Sequence, residues 1–261
     1  ILLGPAAGFV TMASVLVVQA LFFADGGLLA LGSNIINLGA VTCFLAYPLV
    51  FRPMVGQNPG RLRLSLACLF SAVFGLQLGA FGVVAETALS GMADLPFASF
   101  LLLMQPIHLL ISLVEGLVTA AVVAFIWKVR PDALRLSAAS DSQKNTFYKQ
   151  LLVPLLVATL VCGGLLSGFA STEPDGLEWA MERAAESDET SSAATNSSSV
   201  IFEQIQEEIA LFPNYSFRDT GEKSTVEKSV SGLVGGFLTL FMIILGGSLL
   251  GLWQRWFSQP G

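Results

Sequence analysis

Charge is scarce in this sequence. Asp, Glu, Lys and Arg together make up 12% of the 261 residues, and histidine occurs once. Hydrophobic residues account for 54% of the chain and the mean hydropathy is +0.71, values that lie outside the range of ordinary soluble domains. The scarcity of charge therefore excludes an ordinary soluble domain and predicts an integral membrane protein.

The residues and motifs that build reactive sites are also few. The three cysteines, Cys43, Cys68 and Cys162, lie inside apolar runs and are too widely spaced for a metal knuckle or a disulfide framework, so we interpret them as packing residues. The sequence has no Gly-x-x-x-x-Gly-Lys phosphate loop, no Gly-x-Ser-x-Gly elbow and no His-Glu-x-x-His helix. These absences disfavour nucleotide hydrolysis and a covalent hydrolase. With one histidine, the chain alone cannot complete a transition-metal site by the usual nitrogen and sulfur ligand rules.

Long apolar runs are what the sequence does contain. A bilayer core about 30 Å thick requires roughly 20 apolar residues in a helix. Six runs meet that length, at about residues 5–23, 34–51, 64–89, 97–127, 150–169 and 229–253. We expect an all-α integral membrane protein, a helical bundle with six transmembrane helices. The first block would hold five helices if a partial helix at the start of the sequence is counted with the four full runs. The last two runs would form a hairpin.

The basic residues predict the orientation of this bundle. Nine of the thirteen Lys and Arg residues fall into three groups: Arg52, Arg61 and Arg63; Lys128, Arg130, Arg135, Lys144 and Lys149; and Arg255. Cytoplasmic loops collect basic residues, and an even number of crossings separates the three groups, so all three can share the cytoplasmic side. This topology places residues 24–33, 90–96 and 170–228 outside.

The outer segment 170–228 is acidic and polar. It holds thirteen of the nineteen acids and four basic residues, and its centre, "SDETSSAATNSSS", cannot bury enough apolar surface to fold alone. Near its start, Asp175 followed by Glu178 predicts a capped helix, with Leu177, Met181 and Ala184/Ala185 on one apolar stripe at the membrane surface. Residues 201–212, "IFEQIQEEIALF", repeat that pattern.

Polar side chains inside the run 97–127 are the intramembrane candidates. Gln105, His108, Ser112 and Glu115 follow one another at spacings of three, four and three, which puts them on one helix stripe. Two interpretations remain open: His108 is a metal or proton ligand with Glu115 nearby, or the two form a hydrogen-bonded pair that fixes helix packing. Seven residues of helix rise about 10 Å, so the two side chains cannot share one ion.

Two blocks of sequence carry a family resemblance. "QALFFADGGLLALGSNIIN", residues 19–37, and "HLLISLVEGLVTAAVVAFIWKVRPDAL", residues 108–134, resemble CbiM/NikM, the substrate-binding membrane component of cobalt and nickel energy-coupling-factor (ECF) transporters. "FASTEPDGLEWAMER", residues 169–183, with "PNYSF" and "GLVGGFLTLF" further on, resembles the accessory CbiN/NikN component, the PDGLE domain. The two resemblances together imply residues 1–135 as the metal-binding membrane domain, 136–149 as a cytoplasmic linker, and 150–257 as a PDGLE hairpin.

The resemblance implies a metal-capture subunit without catalytic residues or a resident cofactor, multi-pass in a prokaryotic plasma membrane. Its substrate would be Co²⁺ or Ni²⁺, and its partners the lipid bilayer, a transmembrane coupling subunit and cytoplasmic ATPases, with no nucleic acid. In that family the principal metal ligands come from an N-terminal Met-His and a further histidine, which we expect upstream of Ile1.

Within the chain itself, the resemblance leaves pocket-shaping residues around the first outer loop. They are Gln19, Asp25, Gly26, Gly27, Asn34 and Asn37. The glycines would allow positive φ and close backbone approach, and the asparagines would cap the next helix or orient a ligating histidine. Asp25 could equally be a solvated interfacial carboxylate. Two functional alternatives remain: an intramembrane enzyme using His108 and Glu115, and a membrane scaffold of a permease that binds no metal.

Overall fold

A computed structural model describes residues 1–56, 59–91, 95–129, 144–171, 173–186, 197–217 and 225–257. All regular secondary structure in these ranges is helical, and they contain no strand. The all-α prediction is therefore confirmed. The proposed linker lies mostly outside the described residues, since positions 130–143 are not among them, and the domain boundaries stay a prediction.

Eight helices carry the described chain. They are α1 (Pro5–Phe22), α2 (Leu31–Val55), α3 (Arg61–Ser90), α4 (Phe97–Val129), α5 (Lys144–Leu160), α6 (Gly176–Glu186), α7 (Ser197–Ile209) and α8 (Thr225–Phe257). Helix α5 continues through a π turn over Val161–Leu165 and a 3₁₀ turn over Leu166–Phe169. Six segments are long and apolar enough to cross a membrane: α1 to α4, Leu152–Phe169 at the end of α5, and Thr225–Leu249 in α8. Six spans were predicted, and four of them precede residue 130.

Helix α2 is π-wound over Ile35–Phe51 and contains Pro48. A proline has no N–H and cannot close the i to i−4 ladder, so a break in regular α winding is expected in this stretch. The wider winding persists to the end of the stretch, where the Arg52 N–H donates to the carbonyl of Tyr47, five residues earlier.

The described chain divides into two compact units, and each unit takes pieces from both halves of the sequence. The first contains residues 1–9, α2, α3, α4 and α6. One core cluster in it joins Phe51, Leu64, Cys68 and Val123, and a second joins Val84, Phe100 and Met104 with Ala180 and Ala184 of α6.

The interface between α3 and α4 is fixed by two amides. Gln77 Nε2 donates to the carbonyl of Gln105 at 3.0 Å, and Gln105 Nε2 donates to the carbonyl of Gln77 at 3.2 Å. The sequence places Gln105 on the polar stripe of the run 97–127, and Gln77 faces it from α3. The two bonds form a reciprocal pair that links the side chain of each helix to the main chain of the other.

Helix α6 begins as the sequence predicts and packs differently. Asp175 Oδ1 accepts from the N–H groups of Leu177 and Glu178, both at 2.8 Å, and Glu178 Oε2 accepts from the Asp175 N–H at 3.3 Å. This is a reciprocal capping box. The buried face is Ala180 and Ala184, while Met181 is 38% exposed, so the predicted stripe is confirmed at Ala184 and wrong at Met181. Small residues let α6 approach the core closely, and the protein, not the membrane surface, covers its apolar face.

The second unit contains most of α1, residues 201–217, the membrane-spanning end of α5, and α8. The π turn of α5 packs on α8, and Lys228 Nζ donates to the carbonyl of Ala170 at 2.5 Å. Segment 201–217 lies against the end of α1, and this contact builds the polar cluster of the second unit.

Candidate functional site

The first outer loop leaves α1 through a left-handed turn. The N–H groups of Phe23 and Asp25 both donate to the carbonyl of Gln19, at 3.1 Å each. Ala24 then takes φ 54°, Gly26 φ 80° and Gly27 φ 68°. Two of these three positions are the glycines of the Asp-Gly-Gly sequence, which adopt such angles without a steric penalty. The turn directs the Asp25 side chain back toward Gln19.

Asp25 is held by two donors. Its Oδ2 accepts from Gln19 Nε2 at 3.2 Å and from Tyr215 Oη at 2.5 Å. Burial raises the pKa of Tyr215 above its ordinary value, and the hydrogen bond to Asp25 raises it further, so the phenol keeps its proton and remains a donor. Asp25 is therefore a bound carboxylate, not the freely solvated one that the sequence left open.

The main chain of segment 201–217 also pairs with the end of α1. The N–H of Phe212 donates to the carbonyl of Phe22 at 2.9 Å, and that of Asn214 to Phe23 at 2.8 Å. The Phe23 side chain is 2% exposed and stacks on the Tyr215 ring with centroids 4.8 Å apart. Tyr215 is itself unusual for a non-glycine residue, with φ 61°. The site thus combines a stacked aromatic pair with a hydrogen-bonded carboxylate.

Gln206 joins the same region from α7. It is 4% exposed, its Nε2 donates to the carbonyl of Ala20 at 3.0 Å, and its Oε1 accepts from the N–H of Leu28 at 3.1 Å. One buried amide therefore ties the helix end to the far side of the loop, and the loop conformation depends on residues about 180 positions away in the sequence.

Asn37 forms the second polar cluster, within the first unit. It is 4% exposed, and its Nδ2 donates to Glu86 Oε2 at 2.9 Å and to Ser33 Oγ at 3.2 Å. Ser33 Oγ also donates to Glu86 Oε2. Gly82 makes room for the amide, because a Cβ there would lie 2.3 Å from Asn37 Oδ1. Gly82 of α3 therefore forms a notch for a buried asparagine.

Neither asparagine caps a helix. Both lie inside α2, which is continuous from Leu31, and Asn34 has helical angles (φ −60°, ψ −41°) with no side-chain capping bond. The predicted capping role is therefore wrong. Asn37 instead bridges α2 and α3, which leaves it rigid and oriented, as the alternative role of positioning another side chain would require.

His108 and Glu115 are not joined by a hydrogen bond in the described structure. His108 Nδ1 lies 2.9 Å from the carbonyl oxygen of Met104 and donates to its own helix, while the Glu115 side chain is exposed. The ring of His108 also lies beside α6: a Cβ at Gly176 would be 3.4 Å from its Cε1. In the described part of the chain, the Met104 carbonyl is the hydrogen-bond partner of His108, so His108 and Glu115 do not form a hydrogen-bonded acid–base pair.

The described residues contain no group of three or more His, Cys, Asp or Glu side chains placed to hold a metal ion. What the two clusters supply is support: Asp25 and Glu86 are carboxylates held by two donors each, and Asn37 is a fixed amide. Such groups orient a ligating imidazole through its second nitrogen. The chemistry they permit is positioning and polar contact, without acid–base or nucleophilic action.

Sequence reasoning missed Tyr215, Gln206 and Ser33. "PNYSF" stands out only through the family resemblance, and nothing in its local pattern indicates that a tyrosine would reach an aspartate 190 positions earlier. The sequence indicated Gln206 only weakly, as an amide that lies between Ile205 and the acidic residues of an amphipathic helix. Glu86, whose carboxylate accepts from Ser33 and Asn37, joins α3 to α2.

The fold and the site define a multi-pass helical membrane protein in which two polar clusters secure a loop and a helix pair. Comparison with known proteins identifies the family. Residues 1–133 match the family CbiM, described as the cobalt uptake substrate-specific transmembrane region, and the chain belongs to that family. Residues 149–252 match the PDGLE domain.

Several relatives match more than half of the chain. A putative fused nickel transport protein NikMN of Archaeoglobus fulgidus is 39% identical over 139 residues, covering 53% of this chain and 45% of its own length. A probable fused nickel transport protein LarMN of Lactiplantibacillus plantarum is 30% identical over 55% of this chain and 46% of its own. A cobalt transport protein CbiM of Geobacter sulfurreducens is 30% identical over 62% of this chain and 49% of its own. The chain therefore spans about half the length of these relatives. No solved structure matches it.

Proposed function

We propose that this protein is the substrate-capture component of an ATP-driven ECF transporter that imports cobalt or nickel ions. The observation that carries the proposal is the tandem match of one chain to the CbiM family and then to the PDGLE domain, together with its similarity to fused nickel transport proteins. The six membrane-spanning helices and the absence of a phosphate-binding loop in the sequence are both compatible with a subunit that binds substrate and leaves ATP hydrolysis to others.

The energy source belongs to other chains in this proposal. A transmembrane coupling subunit and cytoplasmic ATPases would drive release of the ion inward, while this chain performs no chemistry on its substrate. The intramembrane enzyme alternative finds no support in the geometry, since His108 bonds to its own helix and Glu115 is exposed. The relatives are named as transport proteins.

We assign supporting roles to the two polar clusters. Gln19, Gly26 and Gly27 shape the loop that presents Asp25, and Tyr215 fixes the direction of its carboxylate. Asn37, with Asn34 one helical turn before it, keeps the start of α2 in place against α3. Each cluster would hold the polar groups of its own unit rigid, so that ligands from elsewhere in the protein meet preformed groups.

Metal uptake tests the proposal. Cells expressing the full-length protein with its coupling subunit and ATPases should accumulate radioactive cobalt or nickel above cells with an ATPase mutated in its phosphate loop. Comparing the two metals decides the substrate. Absence of uptake of both metals by a membrane-inserted complex would overturn the transport assignment.

Variants of Asp25 and the asparagines test the site. Asp25→Ala should lower uptake, whereas Asp25→Asn keeps an acceptor for Tyr215 and separates the loss of charge from the loss of the hydrogen bond. Asn34→Ala and Asn37→Ala extend the test to the start of α2. If Asp25→Ala, Asn34→Ala and Asn37→Ala all transport normally, the supporting roles are wrong even though the transport assignment stands.

A further inference from the structure

Helix α7 carries an uncovered apolar face. Ile201, Ile205 and Ile209 follow one another at intervals of four residues and are 54%, 44% and 53% exposed, with Phe202 beside them at 43%. Residues spaced by four lie on one side of a helix. Glu207, which is also exposed, lies on the opposite side, and the exposed Gln204 and Glu208 flank the stripe beside Ile201. The helix is therefore amphipathic with its apolar stripe facing outward.

Helix α6 provides the contrast. It is amphipathic too, but its apolar face is covered by protein, since Ala180 and Ala184 have no exposed surface and pack against Phe100 and Met104. Of these two helices of the outer segment, α7 is the one whose apolar side chains the described structure leaves uncovered. Exposed apolar stripes of this size indicate a contact with something other than water.

Length and composition exclude α7 as a further span. Its 13 residues extend about 20 Å, well short of a bilayer core, and its sequence alternates acids with apolar groups. A helix of this kind lies in the plane of the interface, with its apolar face among the acyl chains and its charged face in water.

The position of α7 is set by Gln206. This side chain projects from the edge of the apolar stripe and is buried against the end of α1, bonded to the carbonyl of Ala20 and the N–H of Leu28. Just beyond α7, the Phe212 N–H bonds to the carbonyl of Phe22, the last residue of that membrane-spanning helix. The helix is thus fixed in height at the boundary of a span and fixed in rotation about its own axis.

We propose that α7 is an interfacial anchor that inserts Ile201, Phe202, Ile205 and Ile209 into the lipid leaflet on the side of the Asp25 loop. Lipid is what covers the apolar face, because hydrogen bonds hold α7 beside the end of α1, where that span leaves the bilayer. Its polar face is acidic, so insertion depends on apolar burial and not on attraction to anionic headgroups. By holding α7 in the leaflet, the membrane would also hold Gln206 on the loop.

Spin-label accessibility tests the anchor. In a variant whose cysteines at 43, 68 and 162 are replaced by alanine, Ile205→Cys and Glu207→Cys would each carry a nitroxide in the full chain reconstituted into phosphatidylcholine vesicles. The two positions are only two residues apart along the helix axis, but their side chains point about 200° apart around the helix. Collision rates with oxygen, which concentrates in the bilayer, and with chromium oxalate, which stays in water, are then compared.

The expected result is a severalfold higher oxygen-to-chromium collision ratio at 205 than at 207. Equal, water-like ratios at both positions would overturn the proposal. So would a label at 205 that is immobilised and shielded from both reagents, since that result means a protein partner or a second copy covers the face. Elution of both variants at the position of the parent on size exclusion shows that the labels report on a folded chain.

Discussion

The notch at Gly82 allows a quantitative test of how α2 and α3 are joined. In Gly82→Ala the new Cβ would lie 2.3 Å from Asn37 Oδ1, so the amide must move. Moving it weakens the bonds to Glu86 and Ser33. A hydrogen bond to a charged group contributes about 1.5–3 kcal/mol and one between neutral groups about 0.5–1.5 kcal/mol.

One gain offsets part of this loss. Alanine in the interior of a helix is about 1 kcal/mol more favourable than glycine. The free energy of unfolding should therefore fall by roughly 1–3 kcal/mol in Gly82→Ala. Gly32→Ala is the matched control, because Gly32 is also a helical glycine and a Cβ added there would meet no atom within 4 Å. That variant should be unchanged or up to about 1 kcal/mol more stable.

The assay is unfolding in mixed micelles with increasing SDS, followed by circular dichroism. A double-variant cycle isolates the clash: in an Asn37→Ala background the obstructing amide is gone, so adding Gly82→Ala should stabilise the protein instead of destabilising it. If Gly82→Ala lowers stability equally with and without Asn37, the reasoning from the amide notch is refuted.

Three further predictions concern other contacts. Tyr215→Phe keeps the ring but removes the donor to Asp25, and should cost about 1.5–3 kcal/mol in the same unfolding assay; Tyr215→Ala, which also loses the stacked ring, should cost more, and equal losses would contradict a role for the stacked ring. Because the pKa of Tyr215 is raised in the folded state, the folded protein keeps a proton that the unfolded chain loses above about pH 10. The stability that Tyr215 contributes is therefore present below about pH 10 and declines as pH rises further. Measured as the difference from Tyr215→Phe, this decline should be absent if the phenol were solvated. Ala184→Leu should destabilise by about 1–3 kcal/mol through overpacking, while Met181→Leu, at a 38% exposed position, should change stability little; similar effects of the two would contradict the observed buried face.

The elements that follow from local sequence were predictable. Six apolar runs long enough for a bilayer produced six helices of spanning length, because a chain in lipid must satisfy its backbone internally. The start of α6 was equally local: Asp175 and Glu178 are three residues apart and cap each other without help from the rest of the fold.

Contacts between distant segments were not predictable from one sequence. Asp25 and Tyr215 are 190 positions apart, and Asn37 and Glu86 are 49 apart, so neither pair leaves a periodic signal. The prediction of the apolar stripe of α6 failed at Met181 for a different reason. The predicted stripe included Ala184 and Met181, whereas the buried face has Ala184 and the unpredicted Ala180, since the distance between backbones decides which face can be buried.

The first turn of α6 has a consequence for how its sequence motif is understood. In "PDGLE", the carboxylate of Asp175 accepts from the N–H of Glu178, and the carboxylate of Glu178 accepts from the N–H of Asp175. Leu177 packs on the neighbouring core. Gly176 lies where a Cβ would come within 2.8 Å of the Ile111 side chain. Each of these residues is already occupied in starting a helix and seating it on protein. The motif thus starts a helix and packs it against a neighbouring helix. In another chain that carries the motif, the first feature to look for is a helix start with one face against a partner helix, before any ligand site.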